Sequence, residues 1–214
     1  MKTPGLNLKR WLPPDEGALF VVTGPSGTGK TTLVKAALQH IPNLFFSVSA
    51  TTREPREGEK NGVDYFFFTP QEFATKIEAD DFLEFANVYG NQYGTLREPV
   101  ERSIASGNSI ILDIDPQGAE QIRKKMPQAV SIFILPPDKQ TLHARLLQRN
   151  TDSSNVIQNR MRQATQQLSY CQHFDYLVIN DDLSSAIQQF QAIVIAELSK
   201  RFRRKTIVEQ FTTE

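Results

Sequence analysis

A glycine-rich segment constrains this chain more than any other feature of its sequence. Residues 24–31 read GPSGTGKT and match the pattern Gly, any four residues, Gly, Lys, then Ser or Thr. The segment follows an apolar run at 18–23 and leads into a stretch, 31–40, whose pattern predicts a helix. Glycines there let backbone N–H groups approach phosphate oxygens, Lys30 reaches the outer phosphates, and Thr31 supplies a ligand for Mg²⁺. The sequence therefore predicts a binding site for a nucleoside triphosphate.

The bulk composition favours one soluble domain, with room for an inserted subdomain. The 214 residues are 39% hydrophobic, and 24 Lys plus Arg balance 24 Asp plus Glu, so the formal net charge is zero. That balance argues against a nucleic-acid partner, because such proteins usually carry a strongly basic surface. Cys171 is the only cysteine in the sequence, which excludes an intrachain disulfide.

The two ends of the chain and its longest apolar runs indicate where in the cell the protein is expected. Residues 1–17 form an irregular lead-in without the apolar centre of a secretory signal, and no run approaches the roughly 18 apolar residues of a membrane-spanning helix. The cytoplasm is therefore the expected location, with no membrane partner. The tail at 202–214 begins within the basic run RFRRK, residues 201–205, and we expect it to fray.

Alternating apolar strands and helices predict the fold class. Short buried runs flanked by breakers predict strands at 18–23, 109–113, 129–135 and 176–180. Helical patterns lie between or after them, at 31–40, 98–106, 117–125, 139–148, 156–172 and 184–200. This order is typical of an α/β protein with a parallel sheet covered by helices on both faces.

The region 45–96 interrupts the alternation and carries a second candidate site. Arg53 and Arg56 lie three residues apart beside a proline, and a pair of guanidinium groups suits the oxygens of a phosphate, although composition alone fits a solvated basic loop equally well. Glu84 lies in the apolar run FLEF. A buried carboxylate there would need N–H donors such as those on the edge of guanine, whereas by itself Glu84 is more typical of an ordinary surface glutamate.

Two further segments add polar groups. Residues 90–95, GNQYGT, are interpreted as a tight turn that presents the phenol of Tyr93 and the hydroxyl of Thr95. The strand at 109–113 leads into Asp113 and Asp115. Carboxylates at the carboxyl end of a parallel strand, beside a phosphate loop, are suited to hold Mg²⁺ or its waters.

Together these motifs resemble one family, the bacterial guanylate kinases. The resemblance covers about 18–200, nearly the whole chain. The resemblance rests on these motifs: GPSGTGKTT, the pattern SxSxTTRxPRxGExxGxDYxF at 47–67, the segments FLE and YGT, LDIDxQG at 112–118 and VIND at 178–181. The phosphate loop is shared by many families, whereas TTRxPRxGE and LDIDxQG are far more selective.

The resemblance implies a P-loop NTPase fold, in which a parallel sheet flanked by helices carries an inserted small mixed-β subdomain and a helical lid. The family-like domain would span 18–203. Its core would comprise 18–45, 96–135 and 173–203, the GMP-binding insertion about 46–95 and the lid about 136–172, with a tail at 204–214.

The implied reaction is the transfer of a phosphoryl group from MgATP to GMP, and also to dGMP, giving ADP and the nucleoside diphosphate. Mg²⁺ is the implied cofactor, neither nucleic acid nor a membrane is an implied partner, and a homo-oligomer stays open. The residues implied to bind ATP are Gly24, Pro25, Ser26, Gly27, Thr28, Gly29, Lys30, Thr31, Thr32 and Asn180.

The resemblance also assigns the acceptor side, the metal and the catalytic residues. Those implied to hold the phosphate of GMP are Arg53, Arg56, Tyr65 and Tyr93, and those implied to read its guanine are Ser49, Glu84 and Thr95, with Asp115 close by. Thr31 and Asp113 would hold Mg²⁺, directly or through water. The catalytic set would be Lys30, Arg53 and the lid arginines Arg145, Arg149 and Arg160, with Arg162 as a further candidate.

A departure from the family bears on the lid turn, and three alternatives remain. Asn150 stands where the family usually has glycine, and asparagine tolerates a left-handed backbone better than most residues. A catalytically inactive phosphopeptide-binding module of the same fold would not need Lys30, Thr31 or Asp113. A kinase of another small phosphate acceptor would not need Glu84. A nucleic-acid ATPase that shares only the phosphate loop is opposed by the zero net charge.

Overall fold

A five-stranded parallel sheet forms the centre of the protein. The computed structural model describes residues 11–88, 90–147 and 154–212, without the side chains of 154–160. The strands of this sheet are β1 (Leu19–Thr23), β2 (Leu44–Phe46), β7 (Ser109–Asp113), β8 (Val130–Leu135) and β9 (Tyr176–Ile179). Their spatial order is β2-β7-β1-β8-β9, and every neighbouring pair is parallel. The carboxyl ends of all five strands therefore meet at one edge.

Helices cover both faces of this sheet, as the alternating pattern predicts. They are α1 (Lys30–His40), α3 (Arg97–Ala105), α4 (Pro116–Lys125) and α7 (Leu183–Leu198). Phe20 and Val22 of β1 pack with α1 and α7 in one buried cluster, whereas Leu19 and Val21 pack with α3 and α4 in another. Because successive side chains of a strand point to opposite faces, a strand that is apolar throughout is buried on both.

A second, four-stranded sheet is inserted after β2. Its strands are β3 (Ala50–Thr51), β4 (Phe66–Phe67), β5 (Phe82–Val88) and β6 (Asn91–Leu96), in the order β4-β3-β6-β5. The β3–β4 pair is parallel and the pairs with β6 are antiparallel. Helix α2 (Pro70–Glu78) contributes Phe73, whose ring stacks on that of Phe82 with the centroids 4.4 Å apart. This small sheet thus has a core of its own.

The interpretation of 90–95 as a tight turn is wrong, because Tyr93 and Thr95 lie on strand β6. Gly94 between them made the segment look like a turn. In the structure it is required by packing, since a Cβ there would come within 2.8 Å of the carbonyl oxygen of Glu84 and 2.9 Å of the Phe82 ring. The glycine lets β5 and β6 pair closely, and the phenol and hydroxyl follow the strand geometry.

A pair of helices follows β8. Helix α5 (Lys139–Leu147) and helix α6 (Ser154–Leu168) pack through Leu142, Leu146 and Ala164, and a 3-10 turn follows at Ser169–His173. Both helices were predicted, although the second pattern reached to residue 172, where the structure has the 3-10 turn. None of the helices in the described part of the chain is long and apolar enough to cross a membrane.

The expectation that the tail frays is wrong for the part that the structure describes. After a 3-10 turn at Arg201–Arg203, helix α8 spans Lys205–Thr212. Arg203 is only 3% exposed, and its guanidinium donates a hydrogen bond to the carbonyl oxygen of Gly17. Asp15 donates its backbone N–H to the Arg203 carbonyl at 2.8 Å and accepts one from the Thr206 N–H at 2.8 Å. The lead-in and the tail therefore hold each other in place.

Candidate active site

The phosphate loop joins the carboxyl end of β1 to the first turn of α1. Gly29, the residue before the helix, has a φ of 88°, which favours glycine. A Cβ at this position would overlap the side-chain nitrogen of Asn180. The loop thus brings its backbone N–H groups and the amino end of a helix to one place, an arrangement that attracts phosphate oxygens.

The buried side chain of Asn180 supports the phosphate loop through a hydrogen bond to its backbone. It follows β9, is 5% exposed, and donates its side-chain N–H to the carbonyl oxygen of Thr28 at 2.7 Å. Its own backbone N–H donates to the carbonyl of Leu135 at 2.8 Å, which fixes it to β8. Among the residues predicted to bind ATP, Asn180, Pro25 and Thr28 are buried within the loop structure rather than presented on its surface.

A cavity of about 420 Å³, the loop cavity, lies over the phosphate loop. Of the residues predicted from sequence, those that line it are Gly24, Ser26, Gly27, Gly29, Lys30, Thr31, Thr32, Asp113 and Asp115. Gln163 and Gln167 of α6 line it as well. Sequence reasoning missed both glutamines, because glutamine on a helix carries no chemical signature.

Lys30 and Asp113 face each other across the loop cavity. The Lys30 ammonium donates to the carbonyl oxygens of Gly24 at 2.6 Å and Pro25 at 3.3 Å, and lies 4.0 Å from a carboxylate oxygen of Asp113. Burial raises the pKa of Asp113 above its usual value, and the positive charge of Lys30 opposes that rise. A carboxylate removed from water is stabilised in its charged form by a cation beside it, which is the ammonium of Lys30 here and could be a metal ion when one is bound.

The predicted lid arginines are only partly described. Arg145 is half-buried on α5 and Arg162 is exposed on α6. Neither lines the loop cavity. Arg149 and the intervening Asn150 lie outside the described residues, as does the side chain of Arg160.

A second cavity, of about 260 Å³, lies between the two sheets. This tyrosine cavity is lined by Ser49, Tyr65 and Tyr93 of the inserted region and by Asp113, the last residue of β7. The rings of Tyr65 and Tyr93 meet edge to face with their centroids 6.2 Å apart. Asp113 and its neighbour Ile114 line both cavities, so the two cavities meet at the carboxyl end of β7.

Arg53 is held beside the tyrosine cavity. Its guanidinium donates to both carboxylate oxygens of Glu59, at 2.8 and 2.9 Å, and to the carbonyl of Glu54 at 2.7 Å. It lies 5.4 Å from the centroid of the Tyr65 ring and 5.8 Å from that of Phe67. The pair raises the pKa of Arg53 and lowers the pKa of Glu59. The guanidinium is therefore fixed in place and fully charged.

Glu59 is a residue that sequence reasoning did not select. It also accepts the backbone N–H of Arg56 at 2.8 Å, which joins the two arginines of the pattern through one carboxylate. The side chain of Arg56 is exposed. The position of Glu59, three residues after Arg56 in the TTRxPRxGE segment, was the sequence signal that could have identified it. A carboxylate so close to two arginines is a natural ion-pair partner for them.

Glu84 is a buried carboxylate on β5. It is 6% exposed and accepts a hydrogen bond from the Thr95 hydroxyl at 2.6 Å. Burial, helped by the negative charge of Asp115, raises the pKa of Glu84 to about 7, against the lowering effect of the Thr95 hydrogen bond. Gly118 of α4 leaves room beside it, because a Cβ at that position would lie 3.0 Å from its second oxygen. The structure thus holds one oxygen through Thr95 and places the other beside Gly118.

Few protein oxygen atoms at this site are placed to bind a metal ion. Within the described residues, no three His, Cys, Asp or Glu side chains come together as a metal cluster. The hydroxyl of Thr31 and the carboxylate of Asp113 both line the loop cavity. This small set of hard oxygen donors fits Mg²⁺, which keeps several waters and takes its other ligands from substrate phosphates.

Comparisons with known proteins agree with this geometry. A family model described as guanylate kinase matches residues 16–197. The guanylate kinase of Carboxydothermus hydrogenoformans is 46% identical over 185 residues, 86% of this chain and 91% of that protein. The guanylate kinase of Escherichia coli K12 is 48% identical over 192 residues, 89% of this chain and 93% of that protein.

A solved structure extends the agreement to the fold. The crystal structure of guanylate kinase from Anaplasma phagocytophilum is 31% identical and superposes with a TM-score of 0.68, covering 94% of this chain and 99% of that one. The sequence likeness runs through both sheets, the phosphate loop and the segment of the paired arginines. This chain belongs to the guanylate kinase family.

Proposed function

We propose that this protein transfers the γ-phosphoryl group of MgATP to GMP, with dGMP as a second acceptor, to give ADP and the guanosine diphosphate. The observation that carries the proposal is the meeting of the loop cavity and the tyrosine cavity at Asp113, in a chain of the guanylate kinase family. The loop cavity lies over the phosphate loop, and the tyrosine cavity is lined by Ser49 and the phenols of Tyr65 and Tyr93, with Arg53 held against the Tyr65 ring.

On the donor side, the backbone of the phosphate loop would cradle the phosphates of ATP, and Lys30 would turn from its own loop carbonyls to the transferred phosphoryl group. Asn180 would act beneath the loop by holding the Thr28 carbonyl. Thr31 and Asp113 would hold Mg²⁺, which neutralises charge between the β- and γ-phosphates when bound.

On the acceptor side, Arg53, Arg56, Tyr65 and Tyr93 would hold the phosphate of GMP. The carboxylate of Glu84 would accept hydrogen bonds from the N1–H and the 2-amino group of guanine, with Ser49, Thr95 and Asp115 around the ring. Adenine lacks the N1 proton and would leave that buried carboxylate unpaired. Such a mismatch can discriminate by several orders of magnitude.

Catalysis would rest on alignment and charge. The attacking oxygen belongs to a phosphate that is already anionic, so no strong general base is needed. The two polyanions repel each other, and Lys30, Arg53 and the lid arginines Arg145, Arg149 and Arg160 would offset this repulsion in the transition state. Closure of the helices after β8 would exclude water, which would otherwise accept the phosphoryl group.

A coupled assay of ADP release tests the proposal, with MgATP fixed and GMP, dGMP, AMP, IMP or CMP offered in turn. We expect turnover with GMP and dGMP far above that with AMP or CMP, and slow ATP hydrolysis without an acceptor. Binding of ATP without turnover on any monophosphate would overturn the kinase assignment in favour of a phosphopeptide-binding module. Turnover only on another acceptor would overturn the assignment of GMP.

A further inference from the structure

Helix α4 holds strand β5 at two points, one on each side of Glu84. The side-chain amide of Gln121 donates to the carbonyl oxygen of Phe85 at 3.0 Å and accepts the backbone N–H of the same residue at 3.1 Å. The ammonium of Lys125 donates to the carbonyl oxygen of Phe82 at 2.6 Å. Gln121 thus takes the place that a neighbouring strand would occupy, since it satisfies both backbone groups of Phe85.

The backbone between these two points departs from regular pairing. Phe82 lies opposite Leu96 and Glu84 lies opposite Thr95, so two steps along β5 correspond to one step along β6. Phe82 and Phe85 consequently pack in the same cluster, although an unbroken strand would place them on opposite faces. A strand with such an irregularity needs support from outside its own sheet if the residue within it is to hold one orientation.

That support comes from the α4 side. Leu83 is fully buried and packs with Ala119 and Ile122 in the core cluster of the parallel sheet. Gly118, one turn before Gln121 and Ile122, faces the second carboxylate oxygen of Glu84. Residues 118, 121, 122 and 125 are spaced so that they share one face of the helix. This face therefore holds the backbone of β5 and shapes the space around the Glu84 carboxylate.

We propose that Gln121 is a positioning residue for acceptor specificity, which it sets by fixing the backbone at Phe85 and thereby the direction of the Glu84 carboxylate, with Lys125 as the second point of attachment at Phe82. The inference rests on the proposed function, because it assumes that Glu84 reads the guanine. It gives Gln121 and Lys125, both on helix α4 against the parallel sheet, a part in recognising a base bound by the inserted sheet.

The proposal requires both halves of the Gln121 amide. Methionine has a similar length and shape but neither the donor nor the acceptor, so Gln121→Met removes both hydrogen bonds without opening a cavity. Lys124→Met is the matched control. Lys124 lies on the same helix, with its side chain 73% exposed and its ammonium 3.5 Å from Glu120, away from β5.

The experiment measures kcat/KM for GMP and for IMP, which lacks the 2-amino group, in the wild type, Gln121→Met, Lys125→Met and Lys124→Met. In the wild type we expect a preference for GMP of about tenfold or more, the value of one hydrogen bond to a charged group. We expect Gln121→Met to reduce that preference at least about fivefold, since an error of 1 Å in position costs much of a directed interaction. Lys125→Met should reduce the preference for GMP by a smaller factor, and Lys124→Met should keep the preference of the wild type.

A double-mutant cycle separates positioning from a general structural role. If Gln121 acts through Glu84, Gln121→Met should have no further effect on the GMP to IMP ratio in a Glu84→Gln background. The ratio is measured within one preparation, so a smaller folded fraction does not alter it. If Gln121→Met yields no folded protein, Lys125→Met is measured in the same cycle.

Three outcomes are distinguishable. A wild type that phosphorylates neither GMP nor IMP would overturn the proposed function. An active wild type with an unchanged ratio in the Gln121 and Lys125 variants would overturn the positioning role alone. An equal loss of turnover on both acceptors, with the ratio kept, would assign Gln121 to structural support and likewise overturn the proposal.

Discussion

The carboxylate of Glu84 accepts a hydrogen bond of 2.6 Å from the hydroxyl of Thr95 while only 6% of the residue is exposed to water. Hydrogen bonding from Thr95 does not offset the loss of hydration, to which the negative charge of Asp115 adds, so the pKa of Glu84 is raised to about 7. A free enzyme at neutral pH therefore contains Glu84 in both protonation states, and two predictions depend on this.

Glu84→Gln should stabilise the folded protein at alkaline pH. Because the folded-state pKa is raised above the usual value of 4.5, the native state binds the proton more tightly than the unfolded chain. The favourable contribution is complete below pH 4.5 and is lost as the pH rises through about 7. Its loss amounts to roughly 3 kcal/mol at full effect. Thermal unfolding at pH 5 and pH 8.5 should show the variant gaining stability over the wild type only at the higher pH.

The dependence of kcat/KM for GMP on pH should also show the titration of Glu84. N–H donors of guanine favour the ionised carboxylate, so kcat/KM for GMP should rise with pH through about 7 in the free enzyme. The profile of Glu84→Gln should lack this limb, and that variant is the control for titration of the substrate phosphate. A wild-type profile that is flat from pH 6 to pH 8 would contradict the assignment of the base-reading role.

Gly118→Ala should separate stability from acceptor binding. Alanine favours a helix over glycine by about 1 kcal/mol. The new Cβ, however, would lie 3.0 Å from the second carboxylate oxygen of Glu84 and 3.3 Å from the side chain of Ile114. We expect kcat/KM for GMP to fall by about tenfold, with KM for ATP and the unfolding temperature little changed. A variant that keeps GMP turnover would show that the carboxylate does not use this space.

Asn180→Ala should affect the donor and not the acceptor. The substitution removes the hydrogen bond of 2.7 Å to the Thr28 carbonyl and leaves that buried group without its partner. The loop then loses its support, and we expect KM for ATP to rise by about tenfold with KM for GMP unchanged. Asp181→Ala, at the next and exposed position, is the matched control. An equal rise in both KM values would place the effect on the whole fold.

Glu59→Gln should weaken GMP binding through Arg53. Glutamine keeps one acceptor for the guanidinium but loses the bidentate ion pair of 2.8 and 2.9 Å. With Arg53 less restricted, we expect KM for GMP to rise several-fold and kcat to change little. A fall in KM for GMP would mean that Glu59 competes with the substrate phosphate for Arg53. Titration calorimetry with GMP distinguishes the two.

Strands β1, β7, β8 and β9 of the parallel sheet could be predicted from the sequence, because each is a short, largely apolar run flanked by breakers. Strand β2 was not assigned to this sheet, since it lies at the start of the region that interrupts the alternation. The phosphate loop and its lysine were recognisable for a similar reason, since the chemistry requires fixed residue types at fixed spacing. Strand β6 was not, because Gly94 and Gln92 weaken its pattern and its conformation is imposed by β5. Such a segment depends on pairing with β5, its hairpin neighbour, and with β3 on its other side, and its own residues do not reveal that pairing.

The supporting residues of the site were also beyond sequence reasoning. Gln121, Gln163 and Gln167 are ordinary helix residues whose roles depend on what the fold places opposite them. Arg203 was interpreted as part of a fraying tail because its run RFRRK is strongly basic. The contact with Gly17 that buries it joins two segments at opposite ends of the chain, and no local pattern reveals such a contact.

The position of β1 in the middle of the parallel sheet has a consequence for synthesis of the protein. This strand leaves the ribosome early, yet β7 and β8, its two neighbours, come much later; the contact of Ala18 with Ser109 spans 91 residues. At about 5–20 residues per second, the apolar strand waits several seconds for a partner. The nascent chain carries this apolar strand without its partners throughout that interval, so the strand is open to aggregation or chaperone binding until β7 and β8 have been made.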